Sequence, residues 1–293
     1  MTTLTTDTTT RIPAIERTLD LAASPERVWR ALTDPDELSQ WFGQAADIRP
    51  EAGYIGWMAW DGHGRVALRV EEATAPRRLA LRWMNEPDQP FDPEGSNLVE
   101  WDLEPLTGGG TRLHLRESGF RTPTGRSGNV VGWLSETAEL VAMLATQPWE
   151  AGIRRTWTFR ASADRVWEAF ADPEQFAAWW SQDAATSLQA GLASAWHWPE
   201  AGGRFAYRID VIEPPVYLAW TWSLTPDVDL DAAPERAHVQ WALEAREDGG
   251  TDLHLFETGF RGPRHHEQNN GGWDGDIHPA LARVLGEGPA SDA

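Results

Sequence analysis

Residues 16–42 read ERTLDLAASPERVWRALTDPDELSQWF, and residues 154–180 read RRTWTFRASADRVWEAFADPEQFAAWW. The segments align at an offset of 138 through Arg17/Arg155, Ser24/Ser162, Val28/Val166, Trp29/Trp167, Asp34/Asp172, Pro35/Pro173 and Trp41/Trp179. Farther on, GGTRLHLRESGFR (109–121) matches GGTDLHLFETGFR (249–261) at an offset of 140, and Gly132-Trp133 matches Gly272-Trp273 at the same offset. Order and spacing persist along the whole unit, so the chain is a duplication. The linker falls at 146–152 (TQPWEAG), where Pro and Gly punctuate. The expected domains are 11–147 and 148–293, preceded by a flexible N-terminal tail over 1–10.

Within one unit, the alternation in 15–22 predicts a strand. Ser24 followed by Pro25 is a helix start, and Asp34-Pro35 starts a second short helix by the same logic. Strands are expected near 54–60, 64–74, 77–85 and 97–105, with Pro76 and its counterpart Pro215 marking a turn. The Gly-rich turn Gly108–Gly110 leads into a strand over 111–118, and a final helix occupies roughly 130–145. A curved antiparallel sheet buries one face only if something covers it, and the last helix is the natural cover. The fold class is therefore α+β: two tandem units, each a curved antiparallel sheet gripping a long C-terminal helix, with space left between them.

Composition narrows the chemistry. The chain has 293 residues, enough for two cores, and a net charge of −20. The first half carries 14 Arg against 22 Asp and Glu, and the second 11 against 23. Neither half offers the basic stripe that nucleic acid or anionic membrane surfaces require, so neither partner is expected. No apolar run approaches the length of a membrane span, no secretory leader is legible, and the expected location is the cytoplasm. Cysteine and lysine are both absent, which excludes disulfides, thiolate catalysis, Schiff bases and lysine-type phosphate loops. Tryptophan is abundant, at 18 residues against 3 Tyr, and it favours cavity walls and interfaces.

The stretches ASPERVWRALTDPDELSQWFG (23–43), APRRLALRW (75–83), LVEWDLEP (98–105) and GGTRLHLRESGF (109–120), with the Gly-Trp pair in the last helix, together resemble the heat-shock-protein ATPase activator homologue (C-terminal domain) family. That family belongs to the START-like, or SRPBCC, helix-grip superfamily. The resemblance spans nearly the whole chain, twice. It implies the helix-grip fold, and it leaves function open, because the superfamily hosts lipid carriers, hormone receptors, cyclases and cochaperone modules.

Strand parity places Leu113, Leu115 and Glu117 on one face, and Leu253, Leu255 and Glu257 on its counterpart. An acid on an apolar face must be paired or hydrogen-bonded, and its pKa tends to rise. Glu117 and Glu257 are thus either cavity acids available for catalysis or anchors bonded to backbone amides near Gly119 and Gly259. The expected cavity wall is aromatic: Trp41, Trp57, Trp60, Trp83, Trp101, Phe120 and Trp133 in the first unit, and Trp179, Trp180, Trp196, Trp198, Trp220, Trp222, Trp241, Phe260 and Trp273 in the second. Trp29 and Trp167 read as core fillers in the helix stripe. His265-His266-Glu267 has no metal-ligand spacing, and neither a metal nor a cofactor is expected. Gly275 and Pro279 interrupt the last helix of the second unit, which is expected to be short, kinked or restarted at Pro279.

Three functions fit this pattern. The first is binding of a small hydrophobic or aromatic molecule between sheet and helix, supported by the tryptophans and the lack of a catalytic triad. The second is a cyclase, dehydratase or hydrolase using Glu117 or Glu257, which nothing in the sequence demands. The third is a chaperone-activating interaction, implied by the resemblance; against it, both units are of the C-terminal type. A monomer with pseudo-twofold repeats, or a weak dimer, is expected.

Overall fold

Every local start signal of the repeat is used twice. In the computed structural model, which describes residues 12–107, 109–181 and 188–287, β1 (Ile15–Leu21) leads into α1 (Pro25–Thr33) and α2 (Pro35–Leu38). The Ser24 hydroxyl accepts the Arg27 N–H, and the Asp34 carboxylate accepts the N–H groups of Asp36 and Glu37. Each cap satisfies amide donors that the first helical turn leaves open. The second copy repeats the arrangement after β8 (Ile153–Phe159): Ser162 caps α4 (Ala163–Ala171), and Asp172 caps α5 (Pro173–Trp179). The tail over 1–10 and Gly108 lie outside the described residues.

The strands then form an antiparallel meander. The first copy runs β2 (Ala45–Asp47), β3 (Ile55–Trp60), β4 (Gly64–Thr74), β5 (Arg78–Met84), β6 (Ser96–Pro105) and β7 (Thr111–Ser118). Its sheet order is β1-β7-β6-β5-β4-β3-β2, so the last strand returns to pair with the first. The three-residue edge strand β2 was not expected; it is too short to show a period. The second copy runs β9 (Ala193–Trp198), β10 (Gly203–Glu213), β11 (Tyr217–Ser223), β12 (Arg236–Ala245) and β13 (Thr251–Thr258), in the order β8-β13-β12-β11-β10-β9. Both sheets carry a bulge at the same place, between Val70 and Glu72 in β4 and between Ile209 and Val211 in β10. A bulge bends and twists its strand, which supplies the curvature that a gripping sheet needs. Buried residues alternate strictly with exposed ones along β1 and with half-buried ones along β7, as a sheet with one covered face requires.

The helix after β7, α3 (Pro123–Leu144), begins seven residues earlier than the sequence suggests. Its first turns carry Gly125 and Gly128, but Thr122 accepts the Gly125 N–H through its side chain and Pro123 occupies the first turn. In the second copy, helical backbone is continuous rather than interrupted at Pro279. α6 (Pro263–Gly272) passes through a π-turn over Trp273–Ile277 into α7 (His278–Val284), with the His278 N–H bonded to the Trp273 carbonyl. The widened turn accommodates a proline that lacks a donor and crowds the preceding turn. α7 packs on α5, and Trp273 and Leu281 on this helix are buried. The chain divides between Asn129 and Val130 into two compact units. The architecture is α+β, two tandem helix-grip domains.

Candidate functional site

The repeated glutamates organise the interior. Glu117 lies opposite Ile15 in β1 and Val99 in β6, and Glu257 lies opposite Ile153 and Val239. Both are fully buried. Glu117 Oε1 accepts N–H groups from Trp83 Nε1 (2.9 Å), Asn97 Nδ2 (2.8 Å) and Asn129 Nδ2 (2.9 Å). Glu257 Oε1 accepts from Trp222 Nε1 (3.1 Å) and Asn269 Nδ2 (2.9 Å), and its Oε2 accepts from Trp273 Nε1 (2.7 Å). Each carboxylate therefore ties the last strand to a middle strand and to the following helix. The donors are side chains, not the backbone amides expected beside Gly119 and Gly259. Burial outweighs these three donors and pushes the Glu257 carboxyl up to about 7. A general acid needs an open path to a substrate atom. Here the carboxylates are met by indole and amide N–H groups, which suits an anchor.

Asn129 and Asn269 escaped the sequence reading. The available signal was a polar pair at the repeat offset, each twelve residues after its glutamate. Asn97 has no such counterpart: it pairs with Trp83 in register, and the corresponding partner of Trp222 is Ala237.

In the first copy, Phe42 stacks on Trp83 (5.5 Å, 14°), and Trp60 stands edge-on to Phe42 at 5.3 Å and to Trp83 at 6.2 Å. Trp60, Trp83 and Phe120 are only half-buried. Trp41, Trp101 and Trp133 are buried, and the Trp41 indole donates to the Ala31 carbonyl at 2.8 Å. Trp57 does not join this group. Its neighbour Met58 is the buried inner residue, so Trp57 lies on the other face, under the Arg65 guanidinium at 4.1 Å. Trp57→Ala should cost about 0.5–1 kcal/mol, the scale of an exposed cation–π contact, as measured by urea unfolding. It should leave the inner face unchanged.

In the second copy the aromatics fill the interior. Trp180 lies 5.1–6.2 Å from Trp196, Trp198, Trp220, Trp222 and Trp273. Trp196 stacks on Tyr207 at 3.7 Å, and Trp241 packs on Trp220 and Trp273. Trp179 donates to the Ala169 carbonyl at 2.8 Å, repeating the Trp41 bond. Of the expected wall residues here, only Trp198 stays half-buried; Phe260 is buried with the others. His265 bonds Glu235 at 2.8 Å, and among the described residues no group of three His, Asp or Glu is gathered to hold a metal. Among the same residues, no helix is long and apolar enough to cross a membrane.

Comparison with known proteins bears on the family. The model of the Activator of Hsp90 ATPase homolog 1-like protein family matches residues 22–145 and again 160–286. No curated protein matches the chain. Among solved structures, MLL2253 from Mesorhizobium loti is 25% identical over 45% of this chain and 96% of its own, with a TM-score of 0.40. DynU16, a protein from the dynemicin biosynthetic locus, is 19% identical over 94% of this chain and 97% of its own, with a TM-score of 0.40. The Aha1 dimer from Colwellia psychrerythraea is 18% identical over 46% and 98%, with a TM-score of 0.40. With one family model matched twice along its length, the chain belongs to the Activator of Hsp90 ATPase homolog 1-like family.

Proposed function

We propose that the protein binds a small hydrophobic or aromatic molecule on the inner face of a helix-grip sheet. The supporting observation is the half-buried pair of Trp60 and Trp83, 6.2 Å apart, with the Trp83 indole held by the Glu117 anchor. Large rings left partly open on an inner face provide area for a planar apolar ligand, and the Glu117 carboxylate fixes the orientation of Trp83. Native mass spectrometry of gently purified protein should show a co-purifying hydrophobic compound. Protein that is empty, and that also takes up no apolar probe, would overturn the reading. On this reading the protein works in the cytoplasm and uses no cofactor.

Family membership favours a second reading, a chaperone ATPase-activating interaction. Stimulation of an Hsp90 ATPase by the ligand-free chain would support it, and an unchanged rate would dismiss it. An enzymatic role for Glu117 or Glu257 is the weakest of the three, because both carboxylates are held by N–H donors.

A further inference from the structure

The two copies share one frame and differ in how much of it they fill. Strand registers fix the equivalences. Leu81 pairs with Val70 and Val99, and Trp220 pairs with Ile209 and Val239. Met58 pairs with Val66, and Trp196 pairs with Phe205. Leu19 pairs with Leu113, and Trp157 pairs with Leu253. The shared caps add Leu38 with Phe176 and Phe42 with Trp180. At Leu81/Trp220, Met58/Trp196, Leu19/Trp157, Leu38/Phe176 and Phe42/Trp180 the second copy carries the larger side chain. Its rings are also better covered: Trp222 and Phe260 are buried, whereas Trp83 and Phe120 are half-buried. Protein interiors pack to a common density, so side chains that fill one frame leave room when they are replaced by smaller ones.

Polarity differs as well. Asn97 is fully buried and donates to Glu117, yet its Oδ1 has no hydrogen-bond partner. A buried acceptor without a donor is costly, and such exceptions call for an explanation. The second copy has Ala237 at this register position. Its own unpartnered groups are the indole N–H groups of Trp180, Trp196, Trp220 and Trp241. Each of these rings has an edge-to-face aromatic neighbour within 5.4 Å. Ring faces are weak acceptors for such N–H groups.

Resting on the ligand-binding reading above, we infer that the first copy alone takes the ligand, an apolar planar molecule with one hydroxyl or N–H donor that meets Asn97 Oδ1, while the second copy is closed by its own tryptophans. The test uses 2-naphthol and naphthalene as probes, titrated calorimetrically into the full chain. Wild type should bind one equivalent of each. Asn97→Ala should weaken 2-naphthol about tenfold, the scale of one hydrogen bond, and leave naphthalene unchanged. A purely structural role for Asn97 would move both probes together, which would overturn the donor assignment. Leu81→Trp, importing the second copy's residue, should abolish both bindings. Trp220→Leu, the converse change, should open a second apolar site and raise the stoichiometry to two. Circular dichroism checks that each variant folds. If Leu81→Trp folds poorly, the Trp220→Leu stoichiometry decides alone. Binding that survives in folded Leu81→Trp, or two equivalents in wild type, overturns the assignment to the first copy while leaving ligand binding in place. Absence of wild-type binding by both probes defeats the ligand reading itself.

Discussion

Glu257→Ala should cost the second copy on the order of 4 kcal/mol at about pH 5, with the loss shrinking toward about pH 8. The variant leaves the N–H groups of Trp222, Asn269 and Trp273 without their acceptor in a sealed interior, and it opens a void. The pH dependence follows from the raised carboxyl. Its pKa rises from 4.5 to about 7 on folding, because burial disfavours the charge. As pH rises, the unfolded chain releases this proton first and the folded protein holds it. The group's contribution is thus fully present below about pH 4.5 and is lost as pH climbs through about 7, an interval worth about 3 kcal/mol. Glu257→Gln cannot titrate, so its stability relative to wild type should improve by most of that interval, about 2.5 kcal/mol, between pH 5 and pH 8. Urea unfolding of both proteins at the two pH values, followed by tryptophan fluorescence, measures this difference. Parallel pH profiles would show that the folded carboxyl titrates normally.

Trp220→Ala should cost about 3–5 kcal/mol, near the top of the range for core truncations. Trp220 is fully buried and meets the rings of Phe176, Trp180, Trp196 and Trp241 at 5.1–6.4 Å. Removing it deletes one side of each contact, and four rigid neighbours collapse poorly into the gap. Leu81→Ala, at the equivalent place in the first copy, removes a smaller side chain and should cost less. Chemical denaturation of the two variants gives the comparison. A loss below about 1 kcal/mol for Trp220→Ala would mean that the aromatic interior can close over the void.

Both effects concern residues whose inward placement follows from strand parity. The duplication, the caps at Ser24, Asp34, Ser162 and Asp172, the hairpins, and the burial of Glu117 and Glu257 are all legible in the residues, because each depends on local spacing. Partners across the fold were less accessible. Asn129 and Asn269 lie on helices whose approach to the glutamates depends on tertiary packing. Trp57 and Trp60 are alike in residue type, but the two differ in parity by one pleat and face opposite ways. The start of α3 was hidden by glycines of low helix propensity, which a cap and a proline offset. The different filling of the two copies needs the strand registers, since equivalence across gaps of changing offset is not visible in composition.

The π-turn at Trp273–Ile277 resets the phase of the helix that follows it. In the first copy the buried residues Trp133 and Leu140 are seven positions apart, and in the second Trp273 and Leu281 are eight apart. In a regular helix eight residues overshoot two turns by about 80°, the spacing that separates Val141 from Trp133 within the broad buried stripe of α3. A turn that absorbs one extra residue returns the eighth to within about 20°. The widened turn thus carries Leu281 back over Trp273, into the buried stripe, although eight residues separate them. Removing Gly275 should leave a seven-residue spacing and a regular helix.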